Sequence, residues 1–323
     1  MKAIQQQRYG GPEAWQVRDV PAPEPQEGEV LVRVRAAALD RGTWHLMTGR
    51  PLVMRLALGL RGPRVPVPGR DLAGVVEAVG EGVTGFAVGD EVYGTTVRGS
   101  FAELVRAKVD RLAHKPESLS FEEAAAVPVS AQTALQALRD HGRVRAGQRV
   151  LVIGASGGVG SYAVQLAKAF GAEVTAVAST TKLDLVRSLG ADHVVDYTRE
   201  DLASHGQRYD LVLDIAGNRP VRVLRRLLTD DGTLVFVGGE NGDRWTGGLQ
   251  RSFGGALLSM FVRHRLVTFV ASENAADLET LRDLLGEDGP RPPVDRTFPL
   301  DDAAKAMAHL EAGHARGKVV LTV

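Results

Sequence analysis

Cysteine is absent from all 323 residues of the chain. Without thiols the protein can form no disulfide, hold no metal through thiolates and use no cysteine nucleophile. An excess of charge of either sign is also missing, since 39 Lys and Arg balance 39 Asp and Glu. Proteins that bind nucleic acids or anionic membrane surfaces generally do so through an excess of basic residues. This balance therefore argues against general binding to either of them.

Long hydrophobic runs are missing as well. The apolar runs around residues 52–60 and 254–262 end in arginines. Each is far shorter than the about 20 residues that a membrane-spanning helix needs. The first residues, "MKAIQQQRYG", lack the apolar core of a secretory signal peptide. We therefore expect a cytoplasmic protein with no membrane span.

The pattern of strands and helices changes near Ser120. Before it, short valine-rich strands broken by glycines are typical of a barrel-like β domain. A capping box of Ser120 and Glu123 then opens a helical stretch. Beyond that stretch, short apolar strands alternate with helices, which predicts a parallel, doubly wound sheet and an α/β fold class. The closing strand "GKVVLTV" could return to the first domain.

A glycine-rich turn follows the apolar strand "RVLVIG". Residues 155–160 read Ala-Ser-Gly-Gly-Val-Gly, and a helix is predicted over 161–170. In the G-x-G-x-x-G fingerprint, Ala155 takes the first glycine's place, and Gly157 and Gly160 are the second and third. Gly157 would let backbone approach a pyrophosphate at the helix N-terminus, and Gly160 would let the helix pack closely. This context favours a dinucleotide site over a tight turn without a ligand.

The next strand, "EVTAVA", does not end in an acid. An NAD site usually places Asp or Glu about 20 residues after the loop, on the ribose 2′-hydroxyl. Here the chain reads Ser179-Thr180-Thr181-Lys182. Hydroxyls and a lysine bind a 2′-phosphate that an acid would repel, so NADP(H) is the predicted cofactor. The alternative is that Ser179 only caps the next helix and Lys182 is a solvated surface residue.

Four motifs carry a family resemblance: "GASGGVGSYAVQLAKAFGAEVTAVAS", "GADHVVDY", "GRDLAGVVEAVGEGVTGFAVGDEVYG" and "GHARGKVVLTV". Together they resemble the medium-chain dehydrogenase/reductase superfamily, in particular its zinc-free NADPH quinone oxidoreductase branch. The resemblance implies a GroES-like β-barrel catalytic domain, split into 1–122 and 272–323. A Rossmann dinucleotide-binding domain, 123–271, would be inserted between the two parts, with the cofactor in the cleft. It also implies a homodimer that pairs edge strands of the dinucleotide domains.

The resemblance assigns cofactor contacts as well. It implies that Lys182 and Tyr197 lie by the adenosine 2′-phosphate, that Thr133 and the "DIAG" and "VGG" strand ends face the nicotinamide side, and that Lys318 lies near the cofactor. The full set of expected cofactor-binding residues is Thr133, Ala155, Ser156, Gly157, Gly158, Val159, Gly160, Ser179, Thr180, Lys182, Tyr197, Ala216, Gly217, Val237, Gly238, Gly239 and Lys318.

Two departures from related families bear on the chemistry. Zinc alcohol dehydrogenases of this superfamily use a Cys and a Gly-His-Glu segment as ligands, whereas this chain has no Cys and reads Gly69-Arg70-Asp71. Arginine does not ligate zinc, so no metal is expected and a zinc alcohol dehydrogenase is disfavoured. Related quinone reductases carry Asn and Tyr where this chain has Asp40 and His45.

Without a metal, the expected substrate is an already electrophilic one, a quinone or an α,β-unsaturated carbonyl compound that accepts a hydride. No tyrosine is followed four residues later by lysine, which excludes the proton relay of short-chain dehydrogenases. His45 is the candidate proton donor, and Asp40 either orients it or faces substrate or ribose. The alternative for His45 is a merely packed or exposed residue. The alternative for the protein is a catalytically weak, NADPH-binding structural or regulatory role.

Two arginine-flanked apolar segments have open roles. Segment 49–64 is interpreted as the rim of a pocket for a bulky apolar substrate. Segment 251–265 is interpreted as a packing helix or a dimer interface.

Overall fold

The chain forms two compact units, residues 1–132 with 273–323 and residues 133–272. The expected domain boundaries, 122/123 and 271/272, fall ten residues and one residue earlier in the chain. The protein is seen here in a computed structural model that describes residues 1–202, 206–217, 219–239, 242–286 and 289–323.

The strands are short and extend through both units. In chain order the described strands are β1 (Lys2–Gln6), β2 (Trp15–Asp19), β3 (Glu29–Leu39), β4 (Asp71–Val79), β5 (Glu91–Thr95), β6 (Leu104–Lys108), β7 (Leu112–His114), β8 (Arg149–Ile153), β9 (Glu173–Ala178), β10 (His193–Asp196), β11 (Tyr209–Asp214), β12 (Leu228–Phe236), β13 (Arg265–Thr268), β14 (Val294–Pro299) and β15 (Lys318–Thr322).

Most helices belong to the second half of the chain. The described α-helices are α1 (Arg41–Thr48), α2 (Arg55–Leu58), α3 (Phe121–Ala125), α4 (Pro128–Gln136), α5 (Gly158–Ala169), α6 (Leu183–Ser188), α7 (Val221–Arg226), α8 (Leu249–Ser259), α9 (Ala275–Leu284) and α10 (Ala303–Glu311). Shorter 3₁₀ turns include Leu52–Met54 and Thr180–Lys182, and a π-helical turn spans Ala137–Gly142.

The first unit is built on mainly antiparallel strands in the order β14-β15-β3-β4-β5-β7, with β6 also pairing β3. Its C-terminal strand β15 pairs antiparallel with β3, with Val320 opposite Ala38. The prediction that the closing strand returns to the first domain is therefore confirmed. Apolar residues of both chain ends, such as Val32, Leu72 and Leu321, form one buried core.

The second unit is a parallel sheet in the order β10-β9-β8-β11-β12-β13. Chain order runs outward in both directions from β8 and β11, so the topological switch point lies between these two strands. Ligands of such sheets bind at the carboxyl ends of the strands beside that point. The predicted doubly wound parallel sheet is confirmed, and the sheet places the glycine turn after β8 at the expected position.

Two helix boundaries differ from those predicted. Ser120 does form the capping box with Glu123, but α3 ends at Ala125 and a new helix begins at Pro128. Proline has no N–H for the helical ladder, so a single helix cannot run through that point. The helix after the glycine turn begins at Gly158, three residues earlier than expected. None of the helices in the described part of the chain could cross a membrane.

Candidate functional site

Two glycines of the turn after β8 differ in the space that a side chain would find there. A Cβ on Gly160 would lie 2.1 Å from the carbonyl oxygen of Gly154, so only glycine lets α5 pack this closely. A Cβ on Gly157 would meet nothing nearer than 3.5 Å. Gly157 is the N-cap residue of α5 and provides no side-chain cap. The first-turn N–H groups of α5 therefore remain available to an anion, which fits the pyrophosphate of a dinucleotide.

The sharp bend of this turn falls one residue earlier than the fingerprint alignment indicates. Gly154 has a φ of +85°, a left-handed conformation that favours glycine. Ala155, which aligns with the first glycine of the fingerprint, is buried and donates its N–H to the Val177 carbonyl at 3.1 Å. Ser156 is also buried. The sequence signal for this shift is the glycine that ends "RVLVIG".

The residues after β9 lie beside an acid that the sequence analysis did not consider. Asp196 ends β10 and pairs in register with Ala178, the last residue of β9. Its carboxylate accepts hydrogen bonds from the hydroxyl of Thr180 and from the hydroxyl and N–H of Thr198, the latter two at 2.7 and 3.0 Å. The neighbouring strand thus brings a carboxylate beside the end of β9.

These hydrogen bonds stabilise the ionised form of the Asp196 carboxyl group. Partial desolvation alone would raise its pKa, but the hydrogen bonds from Thr180 and Thr198 outweigh that effect and lower the pKa below its ordinary value. Asp196 is therefore ionised near neutral pH. Lys182, in the same 3₁₀ turn as Thr180, is half-buried, and Tyr197 next to Asp196 is 54% exposed.

At the ends of β11 and β12 an ion pair fixes two loops. The fully buried Asp214 forms a salt bridge with Arg251 of α8, and Arg251 also donates to the Gly217 carbonyl at 2.6 Å. Burial raises the pKa of Asp214, while Arg251 opposes the shift. The expected residues Ala216, Gly217, Val237, Gly238 and Gly239 all lie in these two loops.

The two loops also pack directly against each other. Gly217 has a φ of +69°, and a Cβ there would lie 2.5 Å from the Gly238 carbonyl oxygen. Val237 and Gly238 donate their N–H groups to the Asp214 carbonyl at 3.1 and 3.3 Å. Arg251 was not named by sequence reasoning, and a lone arginine opening an apolar helix gives little sign of such a role. Thr133, the remaining expected residue of the second unit, lies half-buried in α4.

In the first unit, Asp40 caps a helix. Oδ1 of Asp40 accepts hydrogen bonds from the N–H and hydroxyl of Thr43, at 2.6 and 3.0 Å, at the start of α1. Oδ2 is buried and has no hydrogen-bond partner among the described residues. Oδ1 of Asp40 is thus used at the start of the helix that carries His45.

A backbone carbonyl group orients the ring of His45. Nδ1 of His45 lies 2.7 Å from the Arg50 carbonyl oxygen, and its ring packs edge-on against Trp44. A carbonyl only accepts, so Nδ1 carries the proton of the neutral ring and Nε2 presents a lone pair. The ring can donate a proton from Nε2 only when it is the imidazolium.

Lys318 lies inside the first unit, at the start of β15. Its ammonium is 2.8 Å from Oδ2 of Asp71 and 3.2 Å from the hydroxyl of Ser130, and its side chain is 1% exposed. Its charge is therefore matched by a buried carboxylate of its own unit. The resemblance placed this lysine near the cofactor.

Family models match two parts of the chain, and known relatives align with almost all of it. Residues 26–117 match the alcohol dehydrogenase GroES-like domain, and residues 189–321 match the zinc-binding dehydrogenase family. A chloroplast envelope quinone oxidoreductase homolog of Arabidopsis thaliana is 33% identical over 99% of this chain and 98% of its own length. The chain belongs to the medium-chain dehydrogenase/reductase superfamily, in its quinone oxidoreductase branch.

Two further relatives agree with this placement. An NADPH-dependent alkenal/one oxidoreductase of Arabidopsis thaliana is 35% identical over 99% of this chain and 79% of its own length. The solved structure of the quinone oxidoreductase from Coxiella burnetii superposes with a TM-score of 0.87 at 30% identity, covering 100% of this chain and 99% of that one. The expected GroES-like and Rossmann folds of a medium-chain dehydrogenase/reductase are thus confirmed.

One of the two matched families is named for zinc binding, so the residues at the usual zinc position decide whether this chain could hold the metal. The Gly69-Arg70-Asp71 segment offers no zinc ligand in Arg70, which forms a salt bridge with Glu273. Asp71 is taken up by Lys318 and by the Val129 N–H at 2.7 Å. Within the described ranges, no three His, Asp or Glu side chains lie close enough to hold a metal ion together.

Proposed function

We propose that this protein is an NADPH-dependent, zinc-independent oxidoreductase that reduces quinones or α,β-unsaturated carbonyl compounds. The observation that carries the proposal is the open glycine turn at the switch point of the parallel sheet, in a chain whose relatives bear quinone and alkenal/one oxidoreductase names. Zinc independence rests on donor chemistry: the chain has no cysteine, and the family's histidine ligand is replaced by Arg70.

The second unit holds the cofactor. The N–H groups of Gly158, Val159 and Gly160 bind the pyrophosphate at the N-terminus of α5. Ser179 and Lys182 bind the 2′-phosphate by charge-assisted hydrogen bonds, and Thr180 joins them by turning its hydroxyl away from Asp196, to which it donates in the structure. When bound, the reduced nicotinamide supplies the hydride.

The remaining expected contacts follow the family resemblance. Tyr197 packs by the adenosine phosphate. Thr133 and the loops at 216–217 and 237–239, which Arg251 and Asp214 fix, shape the nicotinamide side. For Lys318, the buried contact with Asp71 supports a structural role and leaves the cofactor contact without support.

His45 is proposed as the proton donor to the reduced acceptor. Because Nδ1 is bound to the Arg50 carbonyl, transfer must leave from Nε2 of the imidazolium. Reduction is therefore expected to slow as pH rises through the range in which histidine side chains generally lose their proton. Asp40 contributes by capping α1, which carries His45, and its unpartnered Oδ2 is the atom that could face substrate or ribose.

A cofactor-oxidation screen tests the proposal. We expect faster oxidation of NADPH than of NADH with quinones, enones or enoyl thioesters, and no dependence on added zinc or chelator. Lys182→Glu should raise the KM for NADPH far more than that for NADH. Lys305→Glu, whose side chain is 74% exposed, is the matched control. No turnover with any acceptor, or equal effects of Lys182→Glu on both cofactors, would reject the enzyme or the phosphate contact respectively.

A second candidate is an NADPH-binding protein with little catalytic activity. It is favoured by Asp40, which stands where related quinone reductases carry Asn and whose Oδ1 caps the helix that carries His45. It predicts tight NADPH binding in calorimetry together with no turnover across the same acceptor panel.

We also propose a homodimer and a cytoplasmic location. β13 is an edge strand of the second unit's sheet, and nearby Met260 and Phe261 are 70% and 79% exposed. These features support pairing of two copies along β13 and the interface role of segment 251–265. Light scattering of the purified protein tests the homodimer, and a monomeric mass would reject it.

A further inference from the structure

The formal net charge of zero is the sum over regions of different charge, and one of these regions is strongly basic in sequence. Residues 41–70 contain six arginines and no acid. Within this region we define the arginine-leucine segment as residues 50–65, "RPLVMRLALGLRGPRV". The segment itself carries four arginines and no acid, although the whole protein has a formal net charge of zero.

The apolar side chains of the arginine-leucine segment protrude from the first unit. Leu56 and Leu60 are 71% and 70% exposed, and Val53 and Val65 are each 42% exposed. A pocket for a small molecule encloses most of its ligand between apolar walls. Side chains this exposed are available for contact with an extended surface, and the pocket rim indicated by the sequence stays a prediction.

Three of the four arginines of the segment are also exposed. Arg50, Arg61 and Arg64 are exposed and make no ion pair among the residues that the structure describes. Arginines interspersed with leucine and valine are the composition of segments that lie in the interface of an anionic bilayer, where the apolar groups enter the headgroup region and the guanidinium groups meet phosphates.

The base of the segment is fixed to the rest of the unit. Arg55 donates to the carbonyls of Gly49 and Thr48 at 3.0 and 3.2 Å and stacks over the Tyr9 ring at 4.4 Å. The Tyr9 hydroxyl donates to the Gly59 carbonyl at 2.8 Å. The segment is thus held in shape before it meets a partner, so little ordering cost opposes binding.

Other occupants fit less well. A second copy placed on this face by two-fold symmetry would bring like charges together. Single-stranded nucleic acid is bound by basic grooves with aromatic stacking platforms, and the exposed apolar residues here are aliphatic. We propose that the arginine-leucine segment docks the protein on the surface of an anionic lipid bilayer. This proposal does not depend on the redox chemistry proposed above.

Vesicle co-sedimentation of the full-length protein tests the proposal. We expect binding to phosphatidylcholine vesicles that contain phosphatidylserine, loss of binding at raised salt, and little binding to phosphatidylcholine alone. Each arginine near an anionic surface strengthens binding about fivefold, so Arg50→Gln/Arg61→Gln/Arg64→Gln should weaken it on the order of 100-fold. Leu56→Gln/Leu60→Gln should also weaken binding, because apolar insertion is lost.

Matched controls remove the same groups elsewhere. Arg222→Gln/Arg226→Gln changes exposed arginines of the second unit, and Val88→Gln changes a side chain that is 67% exposed. Both controls should bind like wild type. The proposal is overturned if neither kind of vesicle binds the protein, or if both kinds bind it equally. Loss of binding in the arginine variant but not in the leucine variant, with competition by inorganic phosphate, would indicate a phosphate site and also overturn it. Specific capture by acidic protein or DNA without vesicle binding would do the same.

Discussion

The Nζ atom of Lys318 lies 2.8 Å from Oδ2 of Asp71, with both side chains almost completely buried. The pair joins the first residue of β15 to the first residue of β4, far apart in the chain. Oδ1 of Asp71 also accepts the Val129 N–H at the start of α4. Burial raises the pKa of Asp71, and the ammonium of Lys318 opposes that shift.

Removing one member of this pair should be costly. Lys318→Met leaves a buried carboxylate without its partner, which we expect to lower the free energy of unfolding by about 3–5 kcal/mol. Arg33→Ala is the control, since Arg33 and Glu77 form a 2.6 Å pair that is 46% and 41% exposed. That change should cost far less stability, because solvent screens an exposed ion pair. Denaturant unfolding measures both, and similar losses for the two variants would contradict the structural role of Lys318.

Two glycines of the turn should separate folding from cofactor binding. Gly160→Ala places a methyl group 2.1 Å from the Gly154 carbonyl and should destabilise the protein by about 1–3 kcal/mol. Gly157→Ala has room for its methyl group within the protein, so stability should be unchanged. Its affinity for NADPH should nevertheless fall about tenfold, equal to about 1.4 kcal/mol, because the methyl occupies the space of the pyrophosphate. Unchanged affinity of a folded Gly157→Ala protein would reject the proposed cradle.

Asp196 should oppose a 2′-phosphate. Its carboxylate is bound by Thr180, the residue proposed to contact that phosphate. Asp196→Asn removes the negative charge and should lower the KM for NADPH about fivefold, with little change for NADH. Asp231→Asn, at an exposed position of β12, serves as the control for net charge. Steady-state kinetics with both cofactors measures the effect, and an equal change in both would place the phosphate elsewhere.

Arg251 should act on the cofactor through the loops that it holds. Arg251→Lys keeps a cation beside Asp214 but loses the second contact, to the Gly217 carbonyl. We expect near wild-type stability together with a KM raised by a similar factor, about tenfold, for NADPH and NADH alike. Arg226→Lys, on the exposed side of α7, is the matched control. A selective effect on NADPH would instead show that Arg251 contacts the 2′-phosphate.

Acid should destabilise the second unit through two histidines. Burial lowers the pKa of His141, whose ring stacks on Phe269, and burial together with Arg225 lowers that of His264. A lowered histidine pKa means that the unfolded chain binds protons first. The stability contributed by each histidine is therefore present above the unfolded pKa of about 6.5 and is lost as pH falls below it.

Thermal unfolding between about pH 7 and pH 5 checks this, around the histidine range. His141→Gln should reduce the fall in Tm over that interval. His314→Gln, at an exposed position, should leave the fall unchanged. An identical pH profile for wild type and His141→Gln would show that His141 does not contribute.

Much of the fold could be predicted because its signals are local. Alternating strands and helices predicted the parallel sheet, and Ser120 with Glu123 predicted a helix start that the structure reproduces. The end of that helix has a local signal as well, because Pro128 cannot donate to its hydrogen-bond ladder. Helix α5 begins at Gly158, because glycines that look like turn residues adopt helical conformations at this position.

The sequence by itself determined that a dinucleotide turn follows β8, because the required glycines lie within six consecutive residues. It also excluded thiol chemistry. Only the tertiary structure decided what surrounds the turn. It brought Asp196 beside Thr180 by strand register, Arg251 onto Asp214 from a distant helix, and Lys318 onto Asp71 from opposite parts of the first unit. Such pairs depend on long-range packing, and no local pattern of residue types specifies which charge will meet which.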